Sequence, residues 1–118
     1  MKTLVLGATT NPMRYANKAI RLLRAHKHEV IAVGIDEGSV GDVKVVHEFP
    51  SNEKIDTVTL YLNPERQKQY YSTIISAKPR RIIFNPGTEN GELQKLSEEN
   101  GIATEEACTL VLLNTGQY

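Results

Sequence analysis

Short apolar segments recur along the chain and are separated by turn and helix signals. Their apolar residues are consecutive rather than alternating, which is typical of strands buried on both faces of a parallel sheet. The predicted strands are Lys2–Leu6, Glu29–Val33, Val43–Val46, Asp56–Leu62, Arg81–Phe84 and Ile102–Glu105. Because helical patterns lie between most of them, the order indicates βαβ units with right-handed crossovers.

Two of the helix signals have the same form, an asparagine followed by proline. Asn11-Pro12 predicts a helix start with Asn11 as N-cap, and Asn63-Pro64 predicts a second full helix in the same way. Ala16, Ala19, Ile20 and Leu23 form the apolar face of the first helix, and Tyr71, Ile74 and Ile75 that of the second. Pro79 ends the second helix.

The C-terminal third of the chain predicts one more clear helix and one ambiguous segment. Leu93 and Leu96 mark a helix that Asn100-Gly101 closes in a left-handed cap. Residues 107–113 are apolar without alternation, so they fit either a strand or a short buried helix, and we favour the helix. Residues 37–50 are expected to be a loop leading to the Val43–Val46 strand. The fold class is therefore α/β, a three-layer, Rossmann-like, doubly wound and mostly parallel sheet.

The turn after the first strand has the chemistry of an anion site. Gly7 permits a sharp turn and a close backbone approach, and Thr9, Thr10 and Asn11 supply hydroxyl and amide groups at the predicted helix start. The turns at Gly7, at Asn63 and at residues 85–88 all follow strands. They should meet along the carboxyl edge of the sheet, where open α/β sheets bind ligands.

The first turn is not a dinucleotide fingerprint. Thr9 and Pro12 stand where the second and third glycines of G-x-G-x-x-G would be. Asp36 ends the second strand, where an acid can bind a ribose hydroxyl of NAD, but we favour a solvated turn aspartate because the glycine pattern is broken.

Composition narrows the classes of function. The chain has 118 residues, 40% of them hydrophobic, which fits one domain over residues 1–118. Lys and Arg together number 14, as do Asp and Glu, so no global field attracts nucleic acid or an anionic membrane. The N-terminal apolar run is too short for a signal peptide or a membrane span, which predicts a cytoplasmic protein.

No motif in the chain predicts catalysis or a metal site. There is no G-x-S-x-G, P-loop or H-E-x-x-H sequence, and His26 and His28 fit the end of a helix better than a metal centre. Cys108 is the single cysteine, so it is either a small buried hydrophobe, which we favour, or a nucleophile that pairs with an external thiol. Tyr15 and Tyr61 suit either a flat heterocycle or the core.

Five stretches of the chain together resemble a known family. They are LVLGATTNPMRYANKAIRLL, HEVIAVG, IDTVTLYLNP, IIFNPGTEN and NGIATEEAC. In this order and spacing they are similar to the small stand-alone CoA-binding proteins of bacteria, whose domain resembles the CoA-binding domain of succinyl-CoA synthetase. Many relatives end their second strand with asparagine, proline and lysine, where this chain has Gly34-Ile35-Asp36. That difference removes a phosphate partner and introduces an acid.

The resemblance implies coenzyme A as ligand and a role for each matching residue. Gly7, Ala8, Thr9 and Asn11 would hold the diphosphate, with Arg14 and Tyr15 beside it. Gly34, Ile35, Tyr61 and Leu62 would line the adenosine slot. Asn85, Pro86 and Gly87 would border the pantetheine arm, and Cys108 matches a cysteine that is frequent in the family.

The expected function is binding of CoA or an acyl-CoA without catalysis. The first alternative is a small NAD(P)-binding enzyme or redox sensor, favoured by Asp36 and disfavoured by Thr9 and Pro12. The second is a protein-interaction module that has kept the fold and lost the ligand. Each of these three functions is compatible with a protein partner or a homodimer.

Overall fold

Seven strands form one sheet in the computed structural model, which describes residues 2–118. They are β1 (Lys2–Ala8), β2 (Glu29–Gly34), β3 (Ser39–Val40), β4 (Val43–Val46), β5 (Thr57–Leu60), β6 (Arg81–Phe84) and β7 (Ala103–Glu106). The order across the sheet is β3-β4-β2-β1-β5-β6-β7, and every pair is parallel except the β3–β4 hairpin. The chain reverses its direction across the sheet between β1 and β5, which is the switch point of a doubly wound fold.

Five helices cover the two faces of this sheet. They are α1 (Tyr15–Ala25), α2 (Pro64–Gln67), α3 (Tyr71–Ala77), α4 (Gly91–Glu99) and α5 (Thr109–Asn114). Within the described residues, none of these helices is both long and apolar enough to cross a membrane. The predicted α/β class with a mostly parallel sheet is confirmed.

The core consists of two apolar clusters, one on each face. Leu4 and Leu6 of β1 pack toward Ile74 of α3 and Leu93 of α4, whereas Val5 packs toward Ile20 of α1. Successive strand residues point to opposite faces, so a strand buried on both sides needs consecutive apolar residues. This is why the run Leu4-Val5-Leu6 is apolar throughout and fully buried.

The predicted start of the first helix is wrong. The helix begins at Tyr15, not after Asn11, and its N-cap position is Arg14. Asn11 instead closes a separate turn, because its side-chain oxygen accepts from the Met13 N–H at 3.0 Å and its carbonyl oxygen accepts from the Arg14 N–H at 3.1 Å. The Asn11-Pro12 sequence therefore forms a turn that precedes the helix. The predicted buried face of Ala16, Ala19, Ile20 and Leu23 is confirmed.

The second predicted helix is interrupted. Asn63 caps it as predicted, with its side chain accepting from the Arg66 N–H at 2.9 Å. The chain then tightens into a 3-10 turn over Lys68–Tyr70 before α3 begins. Aromatic residues at 70 and 71 have weaker helix propensity than the residues before them, which is consistent with a break there.

Two short segments also differ from prediction. Residues 39 and 40 form a strand where only a loop was expected. The favoured helix at the end of the chain is confirmed, but it begins at Thr109 because Ala107 still bonds to the end of β6 through its N–H and the Phe84 carbonyl oxygen, at 3.1 Å.

Glycine permits the close approach of β1 to both of its neighbours. Gly34 of β2 pairs with Ala8, and a Cβ atom at Gly34 would lie 2.1 Å from the Ala8 carbonyl oxygen. Gly7 has φ +98°, and a Cβ atom there would lie 2.8 Å from the Tyr61 carbonyl carbon. The backbone itself occupies the space that either side chain would need.

Gly34→Ala is therefore expected to lower the free energy of unfolding by more than about 2 kcal/mol, since overpacking against fixed backbone cannot relax through a rotamer change. Urea denaturation measures this. The control is Gly91→Ala at the start of α4, where a Cβ atom meets nothing within 4 Å and φ is not positive, so stability should be unchanged or slightly raised. Equal effects of the two substitutions would contradict the close approach.

Candidate functional site

The carboxyl ends of the parallel strands bring the predicted site residues to one edge of the sheet. The segments there follow β1, β2, β5, β6 and β7 in turn. Together with the last residues of β1 and β2 and the first residue of α1, they contain Gly7, Ala8, Thr9, Asn11, Arg14, Tyr15, Gly34, Ile35, Tyr61, Leu62, Asn85, Pro86, Gly87 and Cys108. We call this the carboxyl edge.

Asp36 is bonded to the turn after β1. One carboxylate oxygen, Oδ2, accepts from the Thr9 hydroxyl at 2.7 Å, from the Thr10 N–H at 2.9 Å and from the Thr10 hydroxyl at 3.3 Å. Asp36 lies in the turn after β2 with access to solvent, as expected, and these bonds in addition hold its side chain between the ends of β1 and β2. These contacts depend on strand pairing and have no local sequence signal.

The same contacts keep Asp36 charged. The Thr9 hydroxyl and the Thr10 N–H bind the ionised carboxylate and hold the pKa of Asp36 below its usual value. Asp36 therefore carries a negative charge at neutral pH, beside the turn that was expected to bind an anion.

A buried asparagine on α1 holds the other side of this turn. Asn17 is fully buried, its side-chain N–H donates to the Thr9 carbonyl oxygen at 3.0 Å, and its side-chain oxygen accepts from Arg21 Nε at 2.8 Å. Sequence reasoning missed this residue. The one sequence feature that could have identified Asn17 is its i, i+3 spacing with Ile20, which places it on the apolar face of α1.

The start of α1 has no side-chain cap. Arg14, at the N-cap position, has extended backbone and makes no capping hydrogen bond. The first N–H groups of a helix have no partner within the helix, and asparagine side chains satisfy them at the starts of α2 and α4, from Asn63 and Asn90. The N-terminal end of α1 thus keeps a positive dipole end and free donors, next to the switch point.

Exposed apolar side chains lie on either side of this helix start. Met13 is 79% exposed, Tyr15 67% and Ile35, just after β2, 84%. The alternative that Tyr15 belongs to the core is therefore excluded. Apolar side chains left in water beside a polar helix end suit a ligand that has both a ring and a phosphate.

The second glycine turn is held by a buried asparagine. Asn85 is 2% exposed, and its side-chain N–H groups donate to the Thr59 hydroxyl at 2.6 Å and the Leu60 carbonyl oxygen at 2.8 Å. Its side-chain oxygen accepts from the Thr109 N–H at 2.9 Å. Asn85 therefore joins β5, β6 and α5, whereas Pro86 and Gly87 after it are exposed.

A second buried network lies behind that turn. Gln67 is fully buried and donates to the carbonyl oxygens of Leu62 and Thr88, at 2.8 and 2.9 Å. Asn90 in turn donates to the Gln67 side-chain oxygen at 2.8 Å. These bonds fix the loops after β5 and β6 relative to each other.

Cys108 and Tyr61 complete the edge on the α5 side. Cys108 is half-buried at the N-cap position of α5, so it is less buried than the small buried hydrophobe that we favoured. Tyr61 is half-buried, and its hydroxyl oxygen is buried with no hydrogen-bond partner within residues 2–118. Burial raises the pKa of Tyr61, so its hydroxyl stays protonated at neutral pH.

Two open clefts lie away from the carboxyl edge, each of about 520 Å³. Charged groups that line them are largely paired with one another, as in Arg24–Asp42 and Arg80–Asp56. In the described part of the chain, no group of three or more His, Cys, Asp or Glu side chains has the geometry to hold a metal ion.

Comparison with known proteins gives a family and a fold. Residues 1–114 match the family described as "CoA binding domain". A crystal structure of an uncharacterized protein is 50% identical, with a TM-score of 0.95 over 99% of this chain and 97% of that one. A hypothetical protein from Pyrococcus horikoshii OT3 is 25% identical, with a TM-score of 0.85 over 97% of this chain and 81% of that one. A protein from Thermus thermophilus is 21% identical, with a TM-score of 0.87 over 99% of this chain and 90% of that one. At this level of identity the likeness shows only that the two proteins share a fold. No curated protein matches the chain.

The chain belongs to the CoA binding domain family, because the family match covers nearly all of it. The resemblance to CoA-binding proteins that was noted in the sequence is confirmed at the level of this family. Membership supports CoA binding in general, and the roles of individual residues rest on the geometry above.

The Asn85 network gives a test of the site's framework. Asn85→Ala is expected to lower the free energy of unfolding by about 2–4 kcal/mol, because it leaves the buried Thr109 N–H and Leu60 carbonyl oxygen without partners. Asn63→Ala removes an exposed helix cap and should cost about 1 kcal/mol. Urea denaturation of both variants compares them. Equal losses would show that the Asn85 bonds do not hold the edge together.

Proposed function

We propose that this chain binds CoA or an acyl-CoA at the carboxyl edge, with the diphosphate on the N-terminal end of α1, and that it catalyses no reaction itself. Membership of the CoA binding domain family supports the class of ligand. The observation that carries the proposed position is the uncapped start of α1 beside the switch point. A diphosphate supplies the acceptor oxygens and the negative charge that this helix end lacks.

The turn after β1 positions the backbone beside the proposed diphosphate, while its own side chains bond within the protein. Thr9 and Asn11 use their side chains within the turn and toward Asp36, so they set the path of the backbone. Gly7 lets the turn pass close to β5. The groups left for phosphate oxygens are the N–H groups at the start of α1 and the exposed guanidinium of Arg14.

The two ends of the ligand would extend along the edge in opposite directions. Ile35 offers an exposed apolar surface for the adenine ring, with Tyr61 and Leu62 half-buried across the switch point. On the other side, Pro86 and Gly87 form an exposed turn, with Cys108 half-buried beside it. This turn would border the pantetheine arm.

The proposal of binding without catalysis is supported by how the polar groups of the edge are used. The hydroxyls of Thr59 and Thr109 lie 2.8 Å apart and bond to each other. The Asn85 side chain bonds to the Thr59 hydroxyl of β5 and to the Thr109 N–H of α5. Burial raises the pKa of Tyr61 further above neutral pH, which disfavours its ionised form. These groups stabilise the edge and offer no activated base.

One observation favours a second candidate, a dinucleotide such as NAD. Asp36 lies at the end of β2, where an acid binds a ribose hydroxyl in dinucleotide sites, and it is fixed there by Thr9 and Thr10. Against it stand the side chains of Thr9 and Pro12 in place of glycine.

Calorimetric titration with CoA, acetyl-CoA and NAD separates the candidates. The proposal expects binding of both CoA compounds and weak or no binding of NAD. Tight binding of NAD alone would replace the proposal with the second candidate. If none of the three binds, and no nucleotide is found by mass spectrometry of the gently purified protein, the chain is better explained as a protein-interaction module.

Arg14→Asp tests the position of the diphosphate. An aspartate at the N-cap position can accept from the first N–H groups of α1 and should raise stability by about 1 kcal/mol. The same carboxylate would occupy the donors and repel phosphate, so affinity for CoA should fall by about tenfold or more. Thermal unfolding and calorimetry measure the two effects.

Two further variants serve as controls. Lys95→Asp makes the same change of charge on exposed α4 and should leave the affinity for CoA unchanged. Arg14→Ala removes the cation without supplying a cap, so it separates loss of the guanidinium from blocking of the helix end. Unchanged affinity in Arg14→Asp would place the diphosphate elsewhere.

A further inference from the structure

Asp36, just beyond the end of β2, places an oriented negative charge against the turn after β1. Its Oδ2 atom is held by the Thr9 hydroxyl and by both the N–H and the hydroxyl of Thr10. The other carboxylate oxygen, Oδ1, makes no hydrogen bond within residues 2–118. The side chain is therefore oriented and still has an acceptor to offer.

Within residues 2–118, no Lys or Arg side chain forms an ion pair with Asp36. His47 lies beside the backbone of this segment, with its Nε2 3.3 Å from the Asp36 carbonyl oxygen and 3.4 Å from Glu37 Oε1. His47 thus faces the exposed acid Glu37, which adds a second negative charge beside Asp36.

The position of Asp36 follows from the backbone. Ala8 pairs with Gly34, so the ends of β1 and β2 are in contact, and Asp36 lies two residues beyond that pair. A ribose linked to a diphosphate at the start of α1 reaches the end of β2 in this topology. A carboxylate accepts hydrogen bonds from ribose hydroxyls but repels a phosphate ester on the same ring.

We propose that Asp36 is a specificity-determining residue that favours ADP-containing ligands with free ribose hydroxyls over ligands with a 3′-phosphate. The inference rests on the proposed function, since it takes the diphosphate position from it. It identifies the preferred ligand class as dephospho-CoA or its acyl esters, with CoA itself as the weaker ligand of the same site.

Calorimetric titration of the wild-type protein with CoA and dephospho-CoA is the first test, because these ligands differ only in the 3′-phosphate. We expect dephospho-CoA to bind about tenfold more tightly, and this ratio to shrink as ionic strength rises, since salt screens charge repulsion at an accessible site. A steric cause would leave the ratio independent of salt.

Asp36→Asn is the second test. Asparagine keeps a side-chain oxygen that can accept from Thr9 and Thr10 but removes the charge, so affinity for CoA should rise until the two ligands bind within about twofold of each other. Asp42→Asn removes an exposed carboxylate that pairs with Arg24 next to β4, and it should leave the ratio unchanged.

The outcomes are distinguishable. If both ligands bind wild-type protein with the same affinity, or CoA binds more tightly, the role of Asp36 is overturned while the proposed function stands. An unchanged ratio in folded Asp36→Asn also overturns it. If neither ligand binds, the proposed function and this inference fail together.

Discussion

The close packing of backbone at the carboxyl end of β1 is the constraint on which the rest of the structure depends. β1 is the central strand, and its end touches β2 through Gly34 and β5 through Gly7. A side chain at either glycine would need space that carbonyl groups of the neighbouring strand already occupy. Because these approaches are close, the turn after β1 and the start of α1 lie at the switch point.

The polar residues of the edge depend on that packing in turn. Asp36 reaches Thr9 and Thr10 only because the ends of β1 and β2 are in contact. Asn85 reaches Thr59 and Thr109 only because β5 and β6 pair in register up to Leu60 and Phe84. Each network fixes one loop of the edge, so the segments around the proposed ligand position are held by buried bonds rather than by loop propensity.

Most of the fold could be predicted from the sequence because buried parallel strands have a distinct pattern. Consecutive apolar residues such as Leu4-Val5-Leu6 marked the strands, and Asn63 marked a true helix cap. The start of α1 could not be predicted, since Asn11 and Pro12 satisfy a turn as readily as a helix. A local sequence pattern indicates which hydrogen bonds a residue can make, and tertiary packing determines which of them form.

The location of the candidate site could be predicted from the sequence better than the contacts that its residues make. Strand topology alone brings Gly7, Gly34 and Gly87 to one edge. The roles of Asp36, Asn17 and Asn85 rest on partners far away in sequence, so they needed the structure. The resemblance implies that Asn85 borders the pantetheine arm, and the structure adds that its side chain bonds to Thr59, Leu60 and Thr109.

The uncapped start of α1 would link the proposed ligand to the stability of the fold. A helix end that lacks a cap is less stable by about 1 kcal/mol than one with its own polar side chain. Whatever binds there supplies the missing acceptor, so occupancy of the site and stability of the first helical turn are thermodynamically linked. The free energy of unfolding of such a protein would rise with the logarithm of the free ligand concentration, and its own lifetime in the cell would follow the supply of that compound.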